Sequence, residues 1–244
     1  LSLNNIAIIY SSLGDYNKAL GYNLLALEIR EKAVGKEHPD YAWSLNNIGL
    51  NYMDLNNYNK AVEYNLLALK IREKVLGKEH PDYALSIGNL AVSYLNLGDY
   101  NKALEYNLLA LKIREKVFGK EHPDYALSLN NIGVNYTNLH NYNKALEYNL
   151  LALKIREKVF GKEHRAYALS LNNVAVNYQN LGNYKKALEF NLLALEIYEK
   201  VIGKEHPDYA LSINNIAFNY AYLDNYNKAL EFLTQSLDIS INSY

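Results

Sequence analysis

The segment GKEHPDYALSLNNIG, residues 119–133, places a lysine, two carboxylates and a histidine within five residues. These residue types could bind a metal ion or serve acid–base catalysis if they converged on one point. Nearly the same segment begins at Gly35, Gly77, Gly161 and Gly203, with 42 residues from each copy to the next. Each copy has a single histidine, no second metal ligand four residues further on, and no partner nucleophile. We therefore interpret the cluster as a structural junction and expect no catalytic residues and no metal site.

A fixed period of 42 residues is typical of stacked repeats, in which each unit contacts mainly its neighbours. The repeats are closely similar, and residues 100–122 and 142–164 are identical. The chain begins at Leu1, without Met and inside a repeat, so we expect it to be a fragment of a longer protein. We predict a single repeat domain, 1–244, made of the units 1–41, 42–83, 84–125, 126–167, 168–209 and 210–244.

Each unit is predicted to form two helices, which we call helix A and helix B. In unit 126–167, helix A has the apolar spacing of an amphipathic helix, at Leu129, Ile132, Gly133, Tyr136 and Leu139. Helix B begins near Asn141 and carries Ala145, Leu146, Ala152, Leu153, Ile155 and Val159. No segment alternates with a period of two, so the sequence predicts an all-α fold of antiparallel helix pairs. Tyrosines that recur at helical spacing, such as Tyr94 and Tyr106, are interpreted as packing residues.

The turns between helices carry residues suited to helix ends. The A–B turn holds residue types that tolerate positive φ: Gly14, Asn56, Gly98, His140, Gly182 and Asp224. His140 is thus expected to end a helix rather than to bind a ligand. The next position is always Asp or Asn, as an N-cap would be. His122 is a candidate N-cap for the following helix A, whose first turn suits Pro123. One copy has Arg165 and Ala166 instead of Pro and Asp, so we expect the 167/168 boundary to be the least stable joint.

The composition excludes several classes of function. Net charge is −1, with 25 basic and 26 acidic residues, so we expect neither a nucleic-acid nor a membrane partner. There is no cysteine, which excludes disulfides and thiol chemistry. No apolar run approaches the roughly 20 residues of a membrane span, so we expect a cytoplasmic protein. We also expect no cofactor.

Two stretches resemble a known family. The segment LNNVAVNYQNLGNYKKAL, residues 171–188, resembles the tetratricopeptide repeat, and ALKIREKVFGKEHPDYA, residues 110–126, is similar to its 42-residue form in kinesin light chains. The resemblance implies a right-handed superhelical solenoid with helices A lining the concave side. It also implies a non-catalytic scaffold for protein–protein interaction that binds a peptide or partner segment in the concave groove.

The resemblance further implies which residues would contact that peptide. In kinesin light chains, asparagines of the L-N-N motif help to hold the peptide backbone, and the matching residues are Asn4, Asn46, Asn130, Asn172 and Asn214, with Gly88 interrupting the row. The other concave positions of the family include Trp43, Leu127, Val134, Thr137 and Gln179. Alternatively, neighbouring backbone satisfies the asparagine amides. We expect no Lys or Arg in any helix A, which makes an acidic peptide a poor ligand.

The leucine pairs of helices B leave a second function open. These pairs are Leu24–Leu25, Leu66–Leu67, Leu108–Leu109, Leu150–Leu151 and Leu192–Leu193, whereas the sixth unit has Thr234–Gln235. They belong either to the inter-repeat core, which we favour, or to an exposed apolar face. Exposure would favour the alternative function, in which repeat arrays self-associate through apolar helix faces or dock end to end through open ends into homo-oligomers.

Overall fold

The computed structural model describes residues 2–242, in which the chain forms twelve α-helices and no β-strand. Leu1 and residues 243–244 lie outside the described residues, and so do the outer ends of the predicted units 1–41 and 210–244. Helices A are α1 (Ser2–Ser12), α3 (Pro39–Asp54), α5 (Pro81–Leu97), α7 (Pro123–Asn138), α9 (Arg165–Asn180) and α11 (Pro207–Tyr222). Helices B are α2 (Tyr16–Val34), α4 (Tyr58–Leu76), α6 (Tyr100–Phe118), α8 (Tyr142–Phe160), α10 (Tyr184–Val201) and α12 (Tyr226–Asn242).

The chain divides into two compact units, Leu1–Gly119 and Lys120–Tyr244, with three helix pairs in each. Within a unit, each helix A packs against its own helix B, and that helix B packs against the next helix A. Helices A of adjacent pairs also contact each other, as α3 does with α5 and α9 with α11. The predicted helix pairs are therefore confirmed, while the single domain stays a prediction.

The A–B turns have the backbone conformation that their residue types predict. Gly14, Gly98 and Gly182 have φ values between 75° and 86°, and their counterparts Asn56, His140 and Asp224 have φ values of 57–58°. All six lie in the left-handed region. The residue that follows caps helix B through its side chain, as when Asp15 Oδ1 accepts from the backbone N–H of Lys18 at 3.1 Å. Both predictions for this turn are confirmed.

The histidine of the repeated GKEH segment caps the next helix A. The Nδ1 atom of each histidine accepts a hydrogen bond of 3.0–3.2 Å from the backbone N–H two residues later. The five caps are His38, His80, His122, His164 and His206. Proline follows in the first turn of α3, α5, α7 and α11, where its missing N–H costs no hydrogen bond. This repeated cluster is therefore built as a junction.

The altered junction at residues 164–166 differs from the others in two ways: it places an arginine in a helix A, and it forms an ion pair with the next repeat. Helix α9 begins at Arg165, so one helix A does contain an arginine. The His164 cap is retained, with its Nδ1 atom 3.0 Å from the Ala166 nitrogen. The Nε and Nη2 atoms of Arg165 each lie 2.8 Å from Oδ2 of Asp208 in the next repeat. This ion pair is partly exposed and offsets only part of the lost proline and carboxylate. The weakness of this joint stays a prediction.

Stacked aromatic rings hold the two helices of every pair together. The tyrosine near the end of helix A stacks on a tyrosine or phenylalanine of helix B, with ring centroids 5.3–5.7 Å apart in all six pairs. A lysine from the first turn of helix B lies 5.0–5.2 Å from the centre of the helix A ring. Tyr94, Tyr106 and Lys102 form one such set. The interpretation of the repeated tyrosines as packing residues is confirmed for these stacked rings, whereas Tyr16 and Tyr226, at the first position of their helices B, are exposed.

His140 allows a direct test of the turn. We expect His140→Gly to raise the free energy of unfolding by about 0.5–1 kcal/mol, because glycine adopts positive φ without a Cβ clash. His140→Ala keeps the Cβ clash and loses the contact between the imidazole and Tyr142, so it should lower the free energy of unfolding. Urea unfolding followed by circular dichroism measures both changes. If His140→Gly destabilises the protein as much as His140→Ala does, the 2.8 Å contact between His140 Nδ1 and the Tyr142 hydroxyl outweighs the backbone effect.

Candidate functional site

In each unit, two rows of apolar side chains on helices A are exposed or half-buried, and together they form what we call the helix A face of that unit. The first row is 37–56% exposed and comprises Trp43 and Leu85 in the first unit and Leu127, Leu169 and Leu211 in the second. In the second row, Ile8, Leu50 and Phe218 are exposed, and Val92, Val134 and Val176 are half-buried. Isolated exposed leucines need no explanation, but rows repeated along adjacent helices form a surface that can bind a partner.

The predicted polar positions of this face differ in what they offer. Thr137 and Gln179 are both half-buried. Thr137 Oγ1 already donates to Gly133 O at 3.1 Å and lies 2.9 Å from Asn177 Oδ1. In the first row, the guanidinium of Arg30 lies 4.8 Å from the ring centre of Trp43 and fixes that ring by a cation–π contact. Thr137 and Trp43 therefore have structural partners besides any ligand.

The L-N-N asparagines lie mostly beneath the helix A face. Asn4, Asn46, Asn130 and Asn172 are only 1–7% exposed, whereas Asn214 is exposed. Their amides bond to other side chains rather than to backbone. Asn4 Nδ2 donates to Asn23 at 2.9 Å, Asn172 Nδ2 donates to Ser212 at 2.8 Å, and Asn130 Oδ1 accepts from Asn173 at 2.6 Å. Four of the five predicted peptide-binding asparagines thus hold adjacent helices together, and direct contact with a peptide stays a prediction.

Asn46 is the most connected of these asparagines. Its Oδ1 accepts from Arg72 Nη1 at 2.6 Å and from the Ser86 hydroxyl at 2.9 Å. Its Nδ2 donates to Asn65 Oδ1 at 2.8 Å, and Asn65 in turn donates to Ser93 at 3.0 Å. This chain of side chains joins three successive helices, α3, α4 and α5. A hydrogen bond between buried groups is strengthened by the low local dielectric, and an unpaired member is correspondingly costly.

Sequence reasoning missed the partners of these asparagines on helices B. Each of the first five helices B has an asparagine where tetratricopeptide-like sequences usually have an aromatic or apolar residue, and all five are buried: Asn23, Asn65, Asn107, Asn149 and Asn191. In the first unit, Asn4 bonds to Asn23 and Asn46 bonds to Asn65 across 19 residues. The recurrence of two asparagines at this spacing is a signal in the sequence that could have indicated the pairing.

Buried arginines were also missed. Arg72, Arg114 and Arg156 are at most 6% exposed. Arg72 Nη1 donates to three uncharged oxygens, including Asp82 O at 2.9 Å and Ser86 Oγ at 2.7 Å. Burial lowers the pKa of Arg72 and of Arg156, because the charged guanidinium loses hydration; the nearby Asp82 charge opposes this for Arg72. At the equivalent position Tyr198 is fully buried, and burial raises the pKa of its phenol.

The row of L-N-N asparagines is interrupted at Gly88, and an arginine approaches the gap. A Cβ on Gly88 would lie 3.4 Å from Nη2 of Arg114. In the preceding repeat, the residue equivalent to Gly88 is Asn46, and its amide contacts Arg72, the equivalent of Arg114. The arginine thus occupies a similar place whether or not the asparagine is present.

The second leucine of each pair contradicts the favoured interpretation. The second leucine of each pair is 40–52% exposed, namely Leu25, Leu67, Leu109, Leu151 and Leu193. The prediction of an inter-repeat core was therefore wrong for the second leucine, whereas Leu66, the first of its pair, is half-buried and packs against the cluster of Leu69 and Tyr83. The buried stripe of helix α4 is formed instead by Ala61, Asn65, Ala68 and Arg72. Because this stripe has helical spacing, Leu67 lies outside it.

Two further features bear on the class of function. The described residues contain no group of three or more His, Asp or Glu side chains placed to hold a metal ion. None of the helices in the described part of the chain is both long and apolar enough to cross a membrane.

With this geometry in hand, comparison with known proteins defines the family. The sequence matches the family model of the tetratricopeptide repeat over residues 1–74, 44–116, 84–158, 129–200 and 167–242. The chain belongs to the tetratricopeptide repeat family. Tetratricopeptide repeats are generally non-catalytic scaffolds for protein–protein interaction, and the all-α repeat fold predicted from the sequence is confirmed.

Solved tetratricopeptide-type structures resemble this chain over most of its length. A kinesin-light-chain-type protein of Podosopora anserina with nearly identical TPR-like repeats is 25% identical, with a TM-score of 0.72 over 84% of this chain and 97% of that one. BtubC (BKLC) of P. vanneervenii is 21% identical, with a TM-score of 0.78 over 94% and 93%. A Rap protein complexed with Competence and Sporulation Factor is 16% identical, with a TM-score of 0.66 over 99% and 74%. No curated protein matches the sequence.

The L-N-N asparagine is buried in some repeats, as at Asn46, and exposed in another, at Asn214, and its contribution to stability should differ accordingly. We expect Asn46→Ala to lower the free energy of unfolding by about 2–3 kcal/mol, because it leaves the buried Arg72, Ser86 and Asn65 groups short of partners. Asn214→Ala, at the same repeat position but exposed, should change it by less than about 0.5 kcal/mol. Chemical denaturation of both variants measures the difference. Equal effects would show that burial of Asn46 does not govern its contribution.

Proposed function

We propose that this protein is a non-catalytic scaffold that binds a peptide or partner segment on its helix A face. The observation that carries this proposal is the pair of apolar rows left exposed along adjacent helices A. Apolar side chains of a segment bound to the first unit would pack against Trp43, and those of a segment bound to the second unit would pack against Leu127 and Val134. Polar groups of the latter segment would meet Thr137 and Gln179. Asn214 is accessible to such a segment directly.

The buried asparagines would have a different part in binding. Asn4, Asn46, Asn130 and Asn172 would position the helices that carry the apolar rows, and any contact with the ligand would be through the small exposed part of their amides. A rigid network beneath a binding surface lowers the entropy lost when the ligand binds. We propose this positioning role together with the direct contacts that the family resemblance implies.

The charge of the face favours a particular class of ligand. The described helices A carry five aspartates and a single arginine, and that arginine pairs with Asp208. A strongly acidic segment would therefore meet no free cation on these helices. Neutral, apolar or basic segments fit the face better, and neither nucleic acid nor a membrane is proposed as a partner.

Two leucines of equal exposure test this proposal. Leu85 on helix A and Leu67 on helix B are both 43% exposed. We expect peptides selected from a display library of random dodecapeptides to lose about fivefold in affinity on Leu85→Asn, because part of an apolar contact is lost. Leu67→Asn should leave the affinity unchanged. Fluorescence anisotropy with labelled peptides measures both.

Two outcomes would contradict binding on helices A. One is a set of peptides whose affinity falls with Leu67→Asn but not with Leu85→Asn, which would place binding on helices B. The other is a library that yields no peptide retained by the protein above an unrelated helical control.

A second candidate function is self-association through helices B. It is favoured by one observation, the repeated exposure of the second leucine of each pair, such as Leu67 and Leu109. A second copy of the chain would cover these leucines, and contacts between unlike faces could propagate into longer assemblies.

Sedimentation velocity tests this alternative. If helices B associate, the weight-average sedimentation coefficient should rise with protein concentration, and Leu67→Asn with Leu109→Asn should abolish the rise because apolar contact area is lost. Leu85→Asn serves as the control and should not affect it. A coefficient that stays at the monomer value at every concentration would contradict self-association.

A further inference from the structure

The first unit contains a pocket between helices α1 and α3 that differs from the rest of the helix A face. We call it the Asp54 pocket; it has a volume of about 230 Å³. Its apolar wall includes Ile8 and Leu50 of the second apolar row, and its polar lining includes Ser11, Asn47, Asn51 and Asp54. Asn47, Leu50 and Asp54 follow one another at i, i+3 and i+7 and therefore lie on one side of α3.

Asp54 is the only charged residue among those that line the pocket. Its side chain is exposed and makes no hydrogen bond and no ion pair with any described residue, and the partial desolvation that remains raises its pKa. The two lysines of the adjoining A–B turns are engaged elsewhere, because Lys18 lies over the ring of Tyr10 and Lys60 over the ring of Tyr52. The pocket thus presents a carboxylate without a counter-ion.

The other polar groups of the pocket are mostly committed. Asn51 accepts from Asn23 at 2.6 Å and donates to the Ser11 hydroxyl at 3.2 Å. The Ser11 oxygen keeps one acceptor position, since a hydroxyl has two lone pairs. At the opposite end, the Asn47 amide is partly exposed and makes no hydrogen bond to described residues. It lies about 10 Å from Asp54 along the axis of α3, the rise of two helical turns.

This arrangement is unique to the second repeat within the first unit. The equivalent residues of α1 and α5 are Ser12 and Asn96. Ser12 Oγ donates to Ile8 O at 3.0 Å, and Asn96 Nδ2 donates to Val92 O at 2.9 Å. Only α3 therefore offers a carboxylate at this position, although the units are otherwise closely similar.

We propose that the Asp54 pocket binds the guanidinium group of an arginine side chain carried by the partner segment. The methylene groups of this arginine lie along Leu50 and Ile8, and its guanidinium donates to the Asp54 carboxylate and the Ser11 oxygen. The Asn47 amide bonds to the segment's backbone at the other end. The unpaired carboxylate and the all-acidic charge of helices A in this unit supply the complementarity. This inference rests on the proposed function.

Parallel selections from the dodecapeptide library test the pocket. The targets are the wild-type chain, Asp54→Asn, and Asp40→Asn, a matched control that removes a likewise exposed carboxylate outside the pocket, at the other end of the same helix. We expect arginine to be enriched among binders of the wild type and of Asp40→Asn. Binders of Asp54→Asn should lack this enrichment.

A peptide variant then measures the pairing directly. In the best wild-type binder, replacing the enriched arginine by citrulline, which has the same shape but no charge, should weaken binding by about tenfold. The same replacement should have no effect on Asp54→Asn.

The outcomes separate this inference from the proposed function. Equal arginine enrichment with Asp54→Asn, or an equal citrulline effect on both proteins, overturns the Asp54 pocket and leaves peptide binding intact. Equal enrichment of lysine overturns the assignment to guanidinium. If none of the three proteins retains any peptide, the proposed function fails, and the inference fails with it.

Discussion

In the first two helix pairs, a hydrogen bond between a helix A asparagine and a helix B asparagine sets how closely the two helices approach. In the first unit it measures 2.9 Å between Asn4 and Asn23 and 2.8 Å between Asn46 and Asn65. Because a buried amide is costly when unpaired, each bond fixes the rotation and the register of its helices. The two helices lie so close together beside the Asn46–Asn65 bond that a Cβ on Gly49 would be only 2.6 Å from Asn65 Oδ1.

Polar and apolar side chains share the interior of the repeats. Asparagine, serine and arginine are buried beside alanine, isoleucine, leucine and tyrosine. Exposed leucines lie in the first row of helices A and at the second position of the leucine pairs of helices B. A stack of repeats accepts this arrangement because each unit needs to match only its neighbours. The repeats thus carry two partly apolar surfaces, one on helices A and one on helices B.

Charge distinguishes the two surfaces. The described helices A carry five aspartates and a single arginine, and that arginine is paired with Asp208. Helices B carry most of the lysines, several of which bond to glutamates of neighbouring turns, such as Lys74 to Glu37 and Lys32 to Glu28. Exposed pairs of this kind contribute little stability, but they keep a partly apolar surface hydrated. Among the described residues, helices A contain neither lysine nor glutamate and so carry no comparable lysine–glutamate pairs.

The sequence by itself determined the repeat, the helix pairs and the turns, because these depend on local chemistry repeated in phase. Positive φ at His140 and capping by His122 follow from residue type and position alone. Only the tertiary structure decided which side chains are buried. It placed Asn46 inside and Leu67 outside, against the usual hydrophobic order, because burial depends on partners supplied by other helices. A single helix with two possible stripes cannot reveal which one its neighbours will cover.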